Sequence, residues 1–482
     1  MKIIEIDQEK IVSIDSLHIR KRYCEHSVCV VKLQIKQEFI MSVYQTLNQD
    51  LTITDDYEKC IFKGKITDVD LKSGHSGILT IKAVSFSVKT DLEPKFRVFR
   101  NEKRSLNEIL NKIKDRSPDN FNININGNHN IDHPVVQYNE TNFQFINRLA
   151  RECGLDVFVN DTLTDDTPSI YISEKKRDGQ YVIDLDKSYE LHNIWNFFKH
   201  SNKTINGLRI VTDIYADLGD SVSVKSAVMN AGNSKYIVYE WDMYKKHEIF
   251  IYEYKLYEPS NFPKLELIPL PEDVHIHAVV KDNNDSGGMG RIQVRFADQV
   301  FEDMDPESKL WIPYRSPYTA VKDGNTSFGI VFIPDKDEPV DVVYSKGEFY
   351  ACECLRRKAK NGSSPLTDEV KIDTDLESPD QNKYIANIYG RKITFNKDML
   401  ELKSGKNTIT LKDDEIEIKV GENKISIKED DILINADKNL KISTGDDTSV
   451  KAGKKIDFKA SDNASISGKD TTIKGSNNVY IH

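Results

Sequence analysis

The alternation of apolar and polar positions is most regular in about the last hundred residues of the chain, from Asn382 to His482. A sixteen-residue unit, residues 405–420, is followed by a second unit of the same character, residues 421–436, and each divides into two octads. Within an octad, two apolar residues lie two positions apart, which is the period of a strand with both side chains on one face. The predicted core positions are Ile409, Leu411, Ile416, Ile418, Ile425, Ile427, Ile432, Ile434, Ile456, Phe458, Val479 and Ile481.

Glycines recur near multiples of eight residues, where a chain turning a corner needs positive φ or a close backbone approach. They are Gly405, Gly421, Gly445, Gly453 and Gly468. One octad is too short to bury its own apolar face, so neighbouring strands must complete the core. Successive turns of a single-chain solenoid satisfy this requirement. Three intertwined chains satisfy it as well, in a triangular prism that each chain crosses one face per octad.

The remainder of the chain is mainly β and divides into stretches of different character. Residues 1–95 are rich in strand patterns, 96–190 contain two helical patterns, and strand patterns resume over 191–270. Ser105 is a predicted helix N-cap, residues 138–141 precede a second amphipathic stretch at 142–151, and Gly154 is its predicted terminator. A compact β segment covers 271–360, a polar linker covers 361–381, and the octad repeat covers 382–482.

Composition limits the possible functions. The chain has 482 residues, enough for three or four domains, and its net charge of −10 argues against nucleic-acid binding. The start, MKIIEIDQEKIV, lacks the basic and apolar regions of a signal peptide, and no apolar run is long enough to span a bilayer. We therefore expect a chain that is made in the cytoplasm. The six cysteines have no metal-binding spacing.

Several motifs, in order, resemble the VgrG and phage late-control hub family. The most specific is QYNETNFQFINRL, residues 137–149, continued by Glu152, Gly154 and Leu155. Three stretches near the start agree with it: residues 25–27, 62–69 and 96–99. Downstream, Asp282, residues 290–296, 311–313 and 328–334, and Glu338 resemble the OB-fold that joins hub to spike in that family. The resemblance covers nearly the whole chain.

The resemblance implies a fold of two tube-like β-barrels at 1–95 and 191–270, with a helical α+β insert at 96–190. It also implies an OB-fold at 271–360 and a triple-stranded β-helix needle at 382–482. The hub-helix positions it identifies are Gln137, Tyr138, Glu140, Thr141, Phe143, Phe145, Arg148, Leu149, Glu152 and Gly154.

In function, the resemblance implies a non-enzymatic, homotrimeric central spike of a contractile injection apparatus. Two related barrels per chain would make a pseudo-sixfold ring that caps a hexameric inner tube, and the threefold needle would puncture a target envelope. The implied partners are the inner-tube protein, baseplate proteins and a PAAR-like tip protein or effector cargo, with no nucleic acid. The spike would be ejected from the cytoplasmic baseplate into the target envelope or carried by an extracellular particle. Type VI secretion, an extracellular injection particle and a phage or tailocin all remain open.

The chain departs from the family pattern in one turn. The usual Val-Gly-Asp-Glu-Val turn of the OB-fold is replaced by PDKDEPV, residues 334–340, which has no glycine. The sequence also has too few residues between OB-fold and needle for the fused lysozyme domain of some phage spikes.

Candidate chemistry is sparse, and we expect no cofactor. His482 is a weak metal candidate, because a threefold axis would gather three copies of it and family needles sometimes close on histidine-bound iron. That usually takes an alternating histidine pair, and position 480 is Tyr. His275 and His277 share one strand face but have no evident third ligand. Glu140 and Glu152 flank the hub helix as catalytic carboxylates would, or as a capping contact and an ion pair.

Two other functions fit parts of the pattern. A trimeric fibre that binds a cell-surface receptor would use the same kind of shaft, since repeats specify an architecture more strongly than a role. An enzyme that degrades peptidoglycan would need an additional domain, and no such domain is evident in the sequence.

Overall fold

The structure is a computed structural model, and it places the chain in two compact units, Met1–Lys360 and Asn361–His482. No described helix has the length and apolarity to cross a membrane. The structure describes residues 2–46, 50–72, 77–101, 103–117, 121–125, 127–162, 167, 169–173, 177–198, 202–226, 231–246, 249–263, 266–322, 326–329, 333–352, 382–386, 389, 391–477 and 479–480.

The first strand group, which we call module 1, contains six strands and a short helix. Its strands alternate buried and exposed side chains, so one face of the group packs on the core and the other faces solvent. Its elements are β1 (Lys2–Ile3), β2 (Ile11–Arg22), β3 (Val28–Ile35), α1 (Ile40–Thr46), β4 (Asp50–Thr54), β5 (Cys60–Lys72) and β6 (Gly77–Ser85).

A mixed insert follows a 3₁₀ helix, Phe86–Asp91. Both predicted helices form, and their apolar faces contribute Ile109, Ile113, Phe145 and Leu149 to the main core. The elements of the insert are β7 (Lys95–Phe99), β8 (Arg104–Ser105), α2 (Leu106–Asp115), β9 (Asn122–Ile125), β10 (Asn130–Ile131), β11 (Val135–Glu140), α3 (Asn142–Glu152), β12 (Asp156–Asn160) and β13 (Ser169–Ser173).

The second strand group, module 2, is joined to module 1 in one twelve-stranded sheet, because β2 pairs antiparallel with β18. The sequence predicts two separate barrels, whereas this path is open within the described residues and ends at β1 and β15. The strands of module 2 are β14 (Arg177–Asp184), β15 (Glu190–Phe198), β16 (Lys203–Thr212), β17 (Asp220–Ser226), β18 (Ala231–Lys246) and β19 (Ile249–Tyr257).

The two modules repeat one topology. Module 1 has the order β2-β3-β6-β5-β4, and module 2 has the order β15-β16-β19-β18-β17, with each strand in the same place along the chain. Irregularities recur at matching points: the β5–β6 register shifts between Ile66 and Asp68, and the β18–β19 register shifts between Val238 and Glu240. The β4–β5 and β17–β18 pairs each carry one further shift. The modules are therefore structural duplicates, although the residues of their matching strands differ.

A buried lysine lies at the junction of the modules. Lys21 of β2 is 5% exposed, and its Nζ lies 2.7 Å from an Asp161 oxygen, 3.5 Å from an Asp217 oxygen and 4.8 Å from the ring centroid of Trp241. Burial by itself lowers the pKa of Lys21, but the two carboxylates raise it above its ordinary value. The Lys21 ammonium of module 1 therefore contacts Asp161, which follows β12 of the insert, and Asp217 of module 2.

The next seven strands have a separate core. Four of them form a sheet of order β21-β20-β25-β26, and its apolar cluster includes Val98 and Val136 of the insert. In the turn that lacks the family glycine, Asp337 takes φ +69°, a conformation that Asp tolerates better than most residues. The strands are β20 (Val274–Asp282), β21 (Gln293–Phe296), β22 (Glu302–Asp303), β23 (Thr319–Lys322), β24 (Thr326–Gly329), β25 (Pro339–Ser345) and β26 (Glu348–Cys352).

The C-terminal unit contains a seven-stranded sheet in which every strand pairs antiparallel with its neighbour in sequence. The predicted crossing from face to face at each octad therefore does not occur here, and the octads form hairpins within one chain. The strands are β27 (Asn382–Ala386), β28 (Arg391–Asn396), β29 (Leu400–Ser404), β30 (Asn407–Leu411), β31 (Glu415–Val420), β32 (Asn423–Lys428) and β33 (Ile432–Asn435).

Two kinds of turn alternate along this sheet and explain the hairpins. Gly405 and Gly421, with φ of +61° and +60°, each begin a two-residue turn, a position that favours glycine. The intervening turns are longer and acidic, and are closed by hydrogen bonds from the Lys412 N–H to the Glu415 carbonyl and from the Lys428 N–H to the Asp431 carbonyl. Residues 436–477 continue the apolar alternation, but no strand is assigned among them.

We expect Lys21→Ala to lower the free energy of unfolding by about 3–5 kcal/mol, because it leaves buried carboxylates without their cation. Chemical denaturation followed by the fluorescence of Trp241, which contacts the lysine, would measure the change. Lys235→Ala on the exposed surface of β18 is the control and should change stability by less than about 0.5 kcal/mol. Equal effects of the two substitutions would show that the buried charge has no special role at the junction.

Candidate functional site

One face of the C-terminal sheet carries two continuous rows of apolar side chains. Each member of a row lies directly opposite the next across neighbouring strands. The first row is Ile393, Leu402, Ile409, Ile418, Ile425 and Ile434, and the second is Phe395, Leu400, Leu411, Ile416, Ile427 and Ile432. We call these twelve residues the shaft face. All eight predicted core positions between Ile409 and Ile434 belong to it.

The shaft face is uncovered in the single chain. Its side chains from Ile409 to Ile434 are between 36% and 66% exposed, whereas apolar residues of the main core are at most 9% exposed. An apolar surface of this extent, framed by charged residues, is typical of a site of protein association. The shaft face is the main candidate functional site.

The opposite face of the sheet carries polar side chains, several of which form hydrogen bonds and ion pairs within the chain. Thr394, Thr410 and Ser426 lie in one cross-strand row with Glu401 and Glu417, and these three hydroxyl residues are buried. At the sheet surface, the Ser426 hydroxyl, at 2.6 Å, and Lys412 lower the pKa of Glu415 to about 2. This face is suited to water, and the shaft face is suited to a partner.

The remaining predicted core positions are arranged differently. Ile456, Phe458 and Val479 are described and exposed, and no strand includes them. Ile481 and the metal candidate His482 lie outside the described residues.

The hub helix α3 begins and ends as predicted. The Thr141 hydroxyl accepts a hydrogen bond from the Gln144 N–H at 3.2 Å, and the Gln144 side chain accepts from the Thr141 N–H at 3.1 Å. Together they form a capping box. Gly154 follows the helix with φ +73°, and its N–H donates to the Arg151 carbonyl.

Glu140 has a structural partner. Its carboxylate accepts two hydrogen bonds from Arg148, at 2.7 and 2.8 Å, and Arg148 also donates to the Val136 carbonyl. Arg148 is 1% exposed, so this is a buried ion pair that holds β11 against α3. Gln137 is fully buried and donates to the Glu140 carbonyl. The motif residues around Glu140 therefore fix the strand-to-helix turn.

Phe143 and Phe145 anchor the helix to different neighbours. The Phe143 ring stacks on His26, with centroids 4.0 Å apart, and the Phe145 ring stacks on Phe99 at 5.8 Å. Leu149 is fully buried in the main core.

His26 is part of a group that has the composition of a catalytic triad. Its Nδ1 lies 2.6 Å from the Ser87 hydroxyl, and its Nε2 lies 3.1 Å from Asp91, which also accepts a hydrogen bond from the Thr141 hydroxyl. Ser87 is 1% exposed, and its hydroxyl is also 2.8 Å from the Ser85 hydroxyl. The group connects the β2–β3 turn to the start of α3.

Glu152 pairs with a histidine. Its carboxylate lies 2.5 Å from Nε2 of His133, and the Pro134 carbonyl lies 2.6 Å from Nδ1 of the same ring. The hydrogen bond with Glu152 raises the pKa of His133. Tyr138, another motif residue, is 46% exposed, and its ring lies parallel to that of Phe301 with centroids 6.1 Å apart.

A set of charges missed by the sequence analysis joins the insert to the β20–β26 region. Arg97 lies 3.2 Å from Glu302 and Arg104 lies 2.7 Å from Asp305. Arg100 is 1% exposed, pairs with Asp303 and donates to the Val294 carbonyl at 2.6 Å. We call these residues and Lys112, which also binds Asp305, the charge clamp. Partners about two hundred positions apart give no local sequence signal.

His275 and His277 meet a single carboxylate, that of Asp341 on the neighbouring strand β25. Among the residues that the structure describes, no group of three or more His, Cys, Asp or Glu side chains is arranged to hold a metal ion.

Comparison with known proteins finds similar folds among solved structures. No protein-family model matches the chain, and no curated protein matches it. Among solved structures, an E. coli protein, c3393, aligns over 73% of this chain and 99% of its own, with 14% identity and a TM-score of 0.52. It is described as a component of the type VI secretion system that is structurally similar to the T4 bacteriophage tail proteins gp27 and gp5.

A lidless PdpA–VgrG complex aligns over 88% of this chain and 93% of its own, with 10% identity and a TM-score of 0.51. A lidded Francisella PdpA–VgrG complex aligns over 88% of this chain and 76% of its own, with 10% identity and a TM-score of 0.49. The first two similarities show that the chain has the fold of these proteins.

We expect the His133–Glu152 pair to make stability depend on pH. Because the folded pKa of His133 is raised, its contribution is complete below the unfolded value near 6.5 and is lost as pH rises through the folded value. Glu152→Gln should therefore lower the melting temperature at pH 6.0, by about 2 °C, and by clearly less at pH 9.0. An equal decrease at both pH values would contradict a role for the protonated imidazole.

Proposed function

We propose that this chain is the subunit of a homotrimeric hub and spike of a contractile injection apparatus. The observation that carries the proposal is the shaft face, an apolar surface of two six-residue rows that the described part of the chain leaves uncovered. The fold shared with the type VI component and with the PdpA–VgrG complex supports it. Neither similarity identifies the function alone, because the sequence identities are 14% and 10%.

Packing three copies of the C-terminal sheet together would bury their shaft faces. A sheet that is apolar on one side must bury that side against another layer. Three such sheets around a threefold axis form a triangular prism with every shaft face inside and every polar face in water. Seven strands about 4.8 Å apart span about 30 Å along the axis. Complete burial of an isoleucine side chain is worth roughly 1.5–3 kcal/mol, and these side chains, 36–66% exposed in the single chain, would gain the corresponding fraction on assembly.

Residues 436–477 would continue the needle in a different way. Their apolar alternation persists without strands in the single chain, so their backbone groups need partners from other copies or from water. Intertwining of the three chains, as the sequence analysis predicts, would supply those partners. The shaft would then begin with three one-chain faces and end as a three-chain β-helix.

The duplicated modules give the other end of the molecule its proposed role. Three chains with two equivalent modules each present six similar modules, which suits the end of a hexameric tube. The C-terminal sheets occur once per chain and suit a threefold needle. The protein would adapt sixfold to threefold symmetry and contribute no enzymatic activity of its own.

The proposed partners follow from this position. A hexameric inner-tube protein would contact the hub, baseplate proteins would surround it, and a PAAR-like tip protein or effector cargo would associate with the spike. One of the similar structures is a complex of a VgrG with PdpA, which supports a partner at the spike. The assembly would form in the cytoplasm and be pushed into the target envelope by sheath contraction.

The shaft face makes the oligomeric state testable in the full chain. Light scattering should give the mass of three chains. Ile425→Lys should dissociate or severely weaken the trimer, because it places three charges on one axis without partners. The matched control is Lys428→Glu on the same strand, which faces solvent and should leave the mass unchanged. Equal effects of the two substitutions would refute the assigned facing, and a monomeric wild-type chain would refute the trimeric spike.

Association with a tube protein distinguishes the spike from a receptor-binding fibre. Co-expression with the hexameric inner-tube protein of the same system should give a complex that survives size-exclusion chromatography. Because the hub would make this contact, the complex should retain its tube protein when the shaft is removed after residue 381. A trimer that binds target cells but no tube protein would support the fibre instead.

A further inference from the structure

The junction between the two modules of one chain is defined residue by residue. Strand β2 pairs antiparallel with the second half of β18, so that Arg22 lies opposite Glu240, Lys21 opposite Trp241 and His18 opposite Tyr244. The first half of β18 pairs with β17 on the same side. The long strand β18 thus pairs with β17 and β2, which lie end to end along it, and β2 belongs to module 1.

The strands equivalent to β2 and β18 in the opposite module have no such partner among the described residues. In module 1, the equivalent of β18 is β5, whose first half pairs with β4 while residues 68–72 have no strand on that side among the described residues. In module 2, the equivalent of β2 is β15, which ends the sheet and pairs only with β16 in the described part of the chain. Each module therefore has one half of a junction left open.

The backbone pairing determines which residues correspond. Asp68 and Glu240 follow the matching register shifts and lie opposite Lys82 and Lys255. Val30 and Arg209 lie opposite the same two lysines on the next strands.

The correspondence then extends to the edge strands. His18 pairs with Val30, and His192 pairs with Arg209. By this correspondence, His192 is equivalent to His18, Trp195 to Lys21, and residues 68–72 to residues 240–244.

The exposed aromatic residues of β15 fit a missing partner. Trp195 and Phe197 are 70% and 62% exposed on adjacent positions of one face of an edge strand. Their equivalents in module 1, Lys21 and Tyr23, are buried at the junction. The equivalent of Trp241 is Val69, which packs partly against the main core. Edge strands that expose large apolar side chains without protection are sites of strand addition.

We propose that β15 of one copy pairs antiparallel with residues 68–72 of β5 in the next copy, reproducing the β2–β18 junction between chains. In this register, His192 lies opposite Lys72, Trp195 opposite Val69 and Asn196 opposite Asp68. The inference rests on the trimeric hub of the proposed function and specifies how its chains are joined.

A second copy of this chain is the occupant because the two open halves complement each other and lie on different modules. The contact is head to tail, and such contacts close into a ring when the rotation at each junction divides a full turn. If the junction between chains repeats the junction within a chain, modules alternate around the ring with one geometry. Six modules, and hence the three chains of the proposed trimer, close the ring if each junction turns by one sixth of a full turn.

Paired cysteines in the full-length protein test the register. His18 and Tyr244 stack with centroids 4.5 Å apart, so side chains at the equivalent positions, 192 and 72, should meet. His192→Cys combined with Lys72→Cys should give covalent dimers and trimers on mild oxidation, seen by denaturing electrophoresis without reductant. The control combines His192→Cys with Asp68→Cys, four residues and roughly 13 Å out of register, beyond the reach of a disulfide.

Each result of this experiment has a definite meaning. Single-cysteine variants give the background from the native thiols, and light scattering under reducing conditions verifies that each variant keeps the mass of the wild type. Cross-linking confined to the 192–72 pair supports the proposal. A trimer that cross-links at neither pair, or equally at both, overturns it while leaving the proposed function intact. A monomeric wild-type chain overturns both.

Amide hydrogen exchange provides a second measurement on the unmodified protein. Backbone N–H groups of β15 and of residues 68–72 that bond across chains should exchange as slowly as those of β2 and residues 240–244. Fast exchange at both open edges of a trimeric protein would overturn the proposal.

Discussion

The pairing of strand edges is the constraint on which this structure depends. A backbone N–H or carbonyl must find a partner, and the chain meets this need in its hub by attaching β2 of one module to β18 of the other. That attachment turns two duplicated modules into one sheet and buries Lys21 between two carboxylates and an indole ring. At β15 and at the end of β5 the described part of the chain supplies no such partner, and the proposed contact between chains would supply one. Backbone pairing thus accounts for the order of the twelve-stranded sheet and for its two open edges.

The shaft presents the complementary case, in which the backbone is paired and the side chains are not. From β27 to β33 every strand has a neighbour in its own chain, yet the shaft face stays in contact with water. The twelve-stranded sheet therefore leaves backbone groups unpaired at its described edges, and the C-terminal sheet leaves an apolar face exposed. The charge clamp joins the β20–β26 region to the insert, where Arg100 is 1% exposed and pairs with Asp303.

What the sequence could predict followed the range of the interactions. Period-two alternation placed Ile409 to Ile434 on one face, since a strand repeats every two residues whatever its partner. Local conformational preferences likewise made the Ser105 cap and the Gly154 terminator predictable. The partner of each octad was not predictable, because the same alternation suits a hairpin and an intertwined strand. The family resemblance implied two related barrels, but the correspondence between their strands was not predictable, since β2 and β15 occupy equivalent places in the backbone pairing and have dissimilar residues. The charge clamp unites residues about two hundred positions apart, which leaves no local pattern.

The alternation of two turn types has a consequence for the length of the shaft. The glycine turns at Gly405 and Gly421 lie at one end of the strands, and the acidic turns at 412–415 and 428–431 lie at the opposite end. One sixteen-residue unit therefore contains a complete cycle of two strands and two turns. Inserting or deleting a whole unit keeps the apolar side chains on the same face and each kind of turn at the same end of the strands. Inserting or deleting a single octad would exchange the positions of the two kinds of turn. The length of the C-terminal sheet therefore changes in steps of about 10 Å, because each unit adds two strands. Duplication of one unit would lengthen the sheet and leave its cross-section unchanged.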